Sequence, residues 1–479
     1  MWEIYKNAKT VLSWVGPDTP DHLAVVAVDS ILAISDILCQ KLDVSILNLR
    51  FISNTYQEII LKNRASLPLP SECGFSTEAT WKSLRWFYSH PYFTRVWVIQ
   101  EIGANNKRIL HCGPKRIEWE RVDLVAGYIM MEPAFSKSFG FTDTYCWWVS
   151  TMTELTRNPK NWLAMLYLAS TYSCIDARDV IYGLRGAMEY SNGAELLEPD
   201  YNKSTLEVYR DSVEAAILTF QNMDVLTYAT GDQDPSWIPQ WNQPMLFRNP
   251  FRFGRSLPWK PAGKTTPIWS IDKDLNILTL NGFVVDPIHF FYFYNESVFG
   301  NVLLKSNEGR NALKQVWQRI LKTIEKSQLH IPFSASLLTA AATSFSFGLD
   351  EYTEPADERC LLHNFVAYLK IVLDKETYDK YIPSDLSEKS RHADGHAFGK
   401  PVWDFNYPES SFFITGNGFM GCTVSTVRRG DLVCVALGST YPFILRPDGN
   451  EFLIRGYAYV HGLMHGEQQS LETQILRIR

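Results

Sequence analysis

The sequence predicts an α/β chain: a partial α/β unit over residues 1–130, a helical and loop region over 131–265, and a β-rich region with a helical insertion over 266–479. Helical and strand periodicities alternate through the first part, which favours α/β architecture. A 3.6-residue pattern dominates Asn161 to Phe220, while short β-type runs bounded by Gly, Pro, Asn or Asp fill much of the last third.

The first element is a helix that starts at residue one. Met1, Ile4, Tyr5 and Ala8 fall at i, i+3, i+4 and i+7 and are expected to line its inner face. Val11 to Val15 then reads as a buried strand ended by Gly16-Pro17-Asp18. The run Leu23 to Leu38 is apolar enough for a buried helix, and Asp29 and Asp36 argue against a membrane span. Ser76 or Thr77 caps a helix through TWKSLRWFYS that ends before Pro91, and FTRVWVIQEIG opens another. A strand around Ile109 to Cys112, a turn at Gly113-Pro114 and a helix from near Glu118 follow.

Farther on, YLASTYSCIDARDVIYGLRGAM and STLEVYRDSVEAAILTF carry the helical pattern, and Asp234 to Lys260 reads as irregular loop. LNILTLNGFVVDPIHFFYFY, FFITGNG, DLVCVALG, YPFILRP and EFLIRGYAYV are expected to build one β domain. Between them lie the helical patterns ALKQVWQRILKTI and LLHNFVAYLKIVL, and a polar segment, PSDLSEKSRHADGHAFGKP, expected to be mobile.

A chain of 479 residues exceeds one hydrophobic core, so two or three domains are expected. With 46% hydrophobic and 20% charged residues it has the composition of a folded chain, and a net charge of -6 offers no attraction to nucleic acid or anionic lipid. Eight scattered cysteines without a C-x-x-C pair suggest a reducing compartment, and cytoplasmic residence is the expectation.

Several motifs invite a chemical reading. His392/His396 and His461/His465 have H-x-x-x-H spacing, but Gly395 and Gly462 interrupt both, and no metal site is expected. GNGFMG, Gly416 to Gly421, has dinucleotide-loop spacing but precedes a strand-like run, so a β-turn is expected. FRNPFRFGR, Phe247 to Arg255, interleaves arginines with phenylalanines and reads as a loop. Glu101 stands out as a carboxylate among Val96, Trp97, Val98, Ile99 and Ile102, with Trp97 and Val98 one turn before it. Such a site can raise a carboxyl pKa; alternatively Glu101 is a surface acid or an ion-pair partner for Arg95, Lys107 or Arg108.

MWEIYKNAKTVLSWVG, HPYFTRVWVIQEI, ILHCG, IEW, DARDVIYGLRG, EPDYNKSTLEVYRD, PSWIPQW and the closing segment from FFITGNGFMG through RRGDLVCVALGSTYPFILRPDGNEFLIRGYAYVHGLMHGE together resemble fungal heterokaryon-incompatibility (HET) domain proteins. The resemblance implies a cytoplasmic fungal protein of nonself recognition linked to regulated cell death. Its partners would be proteins of incompatibility signalling, with self-association a further expectation and neither nucleic acid nor membrane involved. It also implies a distant likeness to Toll/interleukin-receptor (TIR) domains, and hence a partial TIR-like, flavodoxin-like unit.

That likeness makes Glu101 the candidate catalytic acid for NAD cleavage, with Tyr92, Arg95 and Trp97 as candidate substrate-binding residues. NAD would be a substrate, and no cofactor is implied. Two strand motifs that normally precede the helix starting at Met1 are absent, and an acid replaced by Gln240 in PSWIPQW is a second departure. About ten buried side chains at roughly 1.5 to 3 kcal/mol each would be lost with those strands, so this chain is expected to be inactive. Glu101→Ala is expected to leave the fold intact. A non-catalytic interaction module and a different small-molecule enzyme are the alternatives.

Overall fold

A computed structural model describes residues 1–49, 56–68, 76–131, 139–141, 143–157, 161–229, 231, 233–245, 257–295, 307–327, 335–351, 354–399, 409–468 and 470–479. The chain forms two compact units: Met1–Tyr190 with Leu197–Thr205 and Trp241–Pro244, and Ser191–Leu196 with Leu206–Gln240 and Met245–Arg479. The arginine and phenylalanine run at 247–255 lies outside the described residues.

The first unit begins with α1 (Trp2–Asn7), β1 (Val11–Gly16), α2 (Leu23–Leu42), α3 (Ile46–Leu49) and α4 (Tyr56–Asn63). It continues with α5 (Glu78–Tyr88), α6 (Val96–Gly103), β2 (Arg108–Cys112), β3 (Lys115–Glu118) and α7 (Trp119–Met131). β1 pairs parallel with β2, and β2 pairs antiparallel with β3. One sheet face, carrying Val11, Ser13, Val15, Leu110, Cys112 and Ile117, is buried. The expected burial of Val11 to Val15 therefore holds for alternate residues only. Leu12 is 65% and Trp14 56% exposed, because a strand directs successive side chains to opposite faces.

α1 departs further from expectation: none of its residues is buried, and Met1 and Ile4 are exposed. At six residues it is too short to present a continuous stripe. Its anchor is Trp2, whose side chain fills the space that a Cβ on Gly186 would need. α2 is long and apolar enough to cross a membrane by length and composition, yet eight of its residues are buried within the unit. Asp29 and Asp36 pair with Lys115 and Arg121 on its outer side. Thr77 caps α5 through the Thr80 N–H at 3.1 Å. Gly113 supplies the left-handed β2–β3 turn at φ 54° and approaches Ala24 too closely for a side chain.

The second unit is built on β4 (Trp269–Asp272), β5 (Ile277–Asn295), β6 (Glu409–Thr415), β7 (Met420–Thr423), β8 (Leu432–Ala436), β9 (Phe443–Asp448), β10 (Glu451–Val460) and β11 (Gln474–Ile478). The antiparallel pairings β5–β6, β6–β7, β7–β10, β10–β9, β9–β8 and β8–β5 close a ring, so its strands share their ladders without an open edge. β4 and β11 pair with β5 beside it. Register shifts at Val284/Asp286, Ile288/Phe290 and Ile454/Gly456 let the long strands β5 and β10 bend between neighbours. Ile288, Phe413, Val433, Ile444, Ala458 and Val460 are part of the buried cluster among these strands.

Helices Asn307–Ser327, Ala335–Ser346 and Glu358–Val372 meet around Trp317, whose ring lies 4.8 Å from Phe345 and 5.3 Å from Phe365. Phe345 stacks on Phe412 of β6 at 5.0 Å, joining these helices to the ring of strands. The polar segment expected to be mobile contains helix Ser384–Lys389, with Leu386 and Phe398 buried. GNGFMG is the β6–β7 turn: Gly418 has φ 88°, and the Asn417 N–H bonds to Asp286.

Replacing Ile444 with Ala is expected to cost about 2–5 kcal/mol, the usual range for a fully buried large-to-small change. Leu12→Ala is expected to cost less than about 1 kcal/mol. Urea unfolding measures both, and a loss of about 2 kcal/mol or more at Leu12 would contradict its exposure on β1.

Candidate functional site

The site is assembled around the short helix α6. Its buried stripe comprises Val96, Val98, Ile99, Gln100 and Ile102, leaving Trp97 and Glu101 half-buried one turn apart. An eight-residue helix gains little from its own hydrogen bonds, so its placement depends on tertiary ties. At its start, the Val96 N–H bonds to the Ser173 carbonyl at 3.3 Å. In its middle, the Gln100 amide donates to the Gly183 carbonyl. At its end, Arg108 donates through Nη1 to the Ile102 carbonyl at 2.8 Å. Arg108 also donates through Nη2 to Glu120 Oε1 at 2.8 Å, and both ion-pair side chains are buried.

Glu101 consequently does not pair with Arg108. Among the described residues it forms no ion pair with Arg95 or Lys107 either. Its Oε2 instead accepts the Ser13 hydroxyl and the Tyr92 hydroxyl, each at 2.9 Å. Both donors approach one oxygen, and Oε1 has no partner among the described residues. Tyr92 is 3% exposed, and its phenol is pushed well above the usual range by burial and then by the charge of Glu101. Tyr5 is raised by burial and Glu101, with Arg95 opposing the shift.

Local structure fixes each donor. Ser13 comes from the buried face of β1, between Val11 and Val15. Tyr92 comes from the 3-10 turn Pro91–Thr94, where His90 Nδ1 accepts the Tyr92 N–H at 3.2 Å. Burial lowers the His90 pKa, keeping the ring neutral at pH 7 and able to accept that bond. Asn105 ties α1 to the segment after α6 by donating to the Tyr5 and Ala8 carbonyls at 2.9 and 2.7 Å.

Of the sequence-predicted residues, Tyr92 and Glu101 are therefore in direct contact. Arg95 is exposed at the N-cap of α6, near enough to act electrostatically on Tyr5 and Tyr92. Trp97 stands on the Glu101 side of the helix, without a hydrogen bond or ring contact among the described residues. Sequence reading missed Ser13 and Tyr5. A hydroxyl between two valines on a strand's inner face was the available signal for Ser13.

His461 and His465 make separate local contacts. His461 Nδ1 lies 3.0 Å from Thr343 Oγ1, and the His465 ring meets Trp259 edge-on at 5.5 Å. Gly395 packs against the Tyr368 backbone too closely to admit a Cβ. Among the described residues, no three or more His, Cys, Asp or Glu side chains converge as a candidate metal site. The chemical capacity of the Glu101 site is that of a positioned carboxylate, able to accept hydrogen bonds or face a cationic centre through Oε1.

Residues 1–101 match the family "Heterokaryon incompatibility protein (HET)", and residues 390–474 match the "Het-6 beta-barrel domain". The second match includes β6 through β10 of the closed ring. The chain is 23% identical over 561 residues to "Heterokaryon incompatibility protein 6, OR allele" of Neurospora crassa, covering 98% of this chain and 78% of that protein. No solved structure matches it.

Glu101→Ala leaves the Ser13 and Tyr92 hydroxyls without their acceptor and is expected to cost about 1–3 kcal/mol. This refines the expectation that the substitution leaves the fold intact. Glu101→Gln retains an acceptor and is expected to cost less. Thermal and urea unfolding of the two variants measure the difference, and equal stability of Glu101→Ala and the parent would reject this hydrogen-bonding arrangement.

Proposed function

We propose that this chain, a member of the heterokaryon-incompatibility (HET) family, acts in fungal nonself recognition and that its signalling ends in regulated cell death. The Neurospora crassa relative supports the incompatibility role through its name and the 98% coverage of this chain. The Glu101 carboxylate is the working centre. The observation carrying this reading is that two protein hydroxyls hold Oε2 while Oε1 has no described protein partner.

NAD cleavage is the chemical proposal, resting on the likeness of the Tyr92 to Glu101 segment to TIR domains. Departure of nicotinamide develops positive charge at the ribosyl carbon, which a fixed carboxylate stabilises electrostatically. Glu101 supplies that charge. Tyr92 and Ser13 hold it in place, while Arg95 is available for phosphate and Trp97 for shaping the pocket. Catalysis also requires ribose to be oriented. The outer edge of β1 has no strand partner among the described residues, so we expect a form with strands paired there to be active. With that edge unpaired, nicotinamide release is expected to be low.

A non-catalytic interaction role is the second reading. It is favoured by the exposed Leu12 and Trp14 on the outer face of the first unit's sheet. Chromatography of nicotinamide released from NAD separates the two. The catalytic reading predicts turnover in the strand-completed form and its loss in Glu101→Gln with the fold retained. Turnover surviving that substitution would reject Glu101 as the acid; death signalling without turnover would favour the interaction role.

A further inference from the structure

A second candidate site lies within the second unit, beside the β8–β9 connection. The cavity has a volume of about 760 Å³ and is lined in part by Asn222, Asp224, Trp259, Lys260, Lys264 and Thr440. That volume falls within the range of about 300–1,000 Å³ typical of small-molecule sites. Its charged groups are distinctive. Asp224 accepts the Thr440 N–H on Oδ1 and the Thr440 hydroxyl on Oδ2, both at 3.0 Å, but forms no ion pair among the described residues. Lys260 and Lys264 also lack ion-pair partners among those residues, whereas Glu354, another acid on the wall, is already engaged.

Opposite charges within about 4 Å attract strongly enough to form an ion pair when poorly solvated. Lys260 and Lys264 are exposed and solvated while Asp224 is held by Thr440, so the cavity presents charges of both signs that are not paired with each other. Burial raises the Asp224 carboxyl to about 6, consistent with incomplete compensation of its charge. The nearly buried Trp259 contributes an apolar wall and an aromatic surface that suits alkyl groups and ammonium ions.

We propose that this cavity binds a short peptide-sized zwitterion, its free amine facing Asp224 and its free carboxylate facing Lys260 and Lys264. A ligand bearing only one charge satisfies only one side. Trp259 would contact the intervening chain, while Asn222 supplies a neutral amide. The proposal is independent of NAD cleavage at Glu101 and assigns the second unit a ligand of different chemistry.

Calorimetry on the full chain with trialanine, N-acetyl-trialanine and trialanine amide provides a test. Trialanine is expected to bind with a Kd of about 1 mM or tighter, corresponding to roughly -4 kcal/mol or more favourable at the standard state. Acetylation and amidation are each expected to weaken binding by about tenfold or more, the scale of losing one charge-assisted hydrogen bond. The combined Lys260→Met and Lys264→Met variant should reproduce the loss caused by amidation, and Asp224→Asn that caused by acetylation. Circular dichroism monitors folding; if Asp224→Asn disturbs its Thr440 loop, the exposed lysine pair carries the test. Equal binding of all three peptides, no binding at about 10 mM, or unchanged discrimination in the lysine variant would overturn the proposal.

Discussion

The buried bond between Arg108 and Glu120 is the constraint on which the Glu101 site most depends. Arg108 neutralises Glu120 with one guanidinium nitrogen and caps the Ile102 carbonyl with another, so one cation joins β2, α7 and the end of α6. Without its partner, Glu120 would be a buried charge in an environment that poorly solvates it. Val96 ties the start of α6 and Gln100 ties the beginning of its last turn, while Arg108 ties the Ile102 carbonyl at its end. Glu101 lies in that turn. Arg108 and Glu120 thus help place the turn that carries Glu101, and Ser13 and Tyr92 orient its carboxylate.

The same geometry explains why Glu101 can be a helix residue between apolar neighbours without entering the core. Val98 and Ile102 face inward, while Trp97 and Glu101 share the outer stripe. β1 brings Ser13 beneath that stripe, and the turn after His90 brings Tyr92 alongside it. Sheet, turn and helix therefore converge on one oxygen. In the second unit, closure serves a different end: β5 and β10 bend through their register shifts so that neighbouring strands protect one another's backbone groups.

Much of this architecture is legible from local sequence. The β-type runs at Leu432–Ala436, Phe443–Asp448 and Glu451–Val460 announce themselves through β-branched and aromatic residues between turn formers. Thr77 likewise reads as a cap before α5. Helix Ala335–Ser346 was less visible because ASLLTAAATSFS mixes small apolar and hydroxyl residues without a strong stripe. Met420–Thr423 was obscured by its brevity and the preceding glycine turn. Glu101 and Tyr92 were both singled out from the sequence, and the fold brings them into contact. Ser13 was not, because its role arises from contact across 88 sequence positions. The preference of Arg108 for Glu120 over Glu101 is also a tertiary outcome.

The most direct measurement is a double-mutant cycle of Arg108→Met and Glu120→Leu, followed by urea unfolding. Each single change should destabilise the chain by about 3–5 kcal/mol because it strands the remaining partner or breaks the helix tie. The double variant should recover a substantial part of the summed loss, since neither charge remains buried. Strictly additive losses would contradict the central role assigned to this pair.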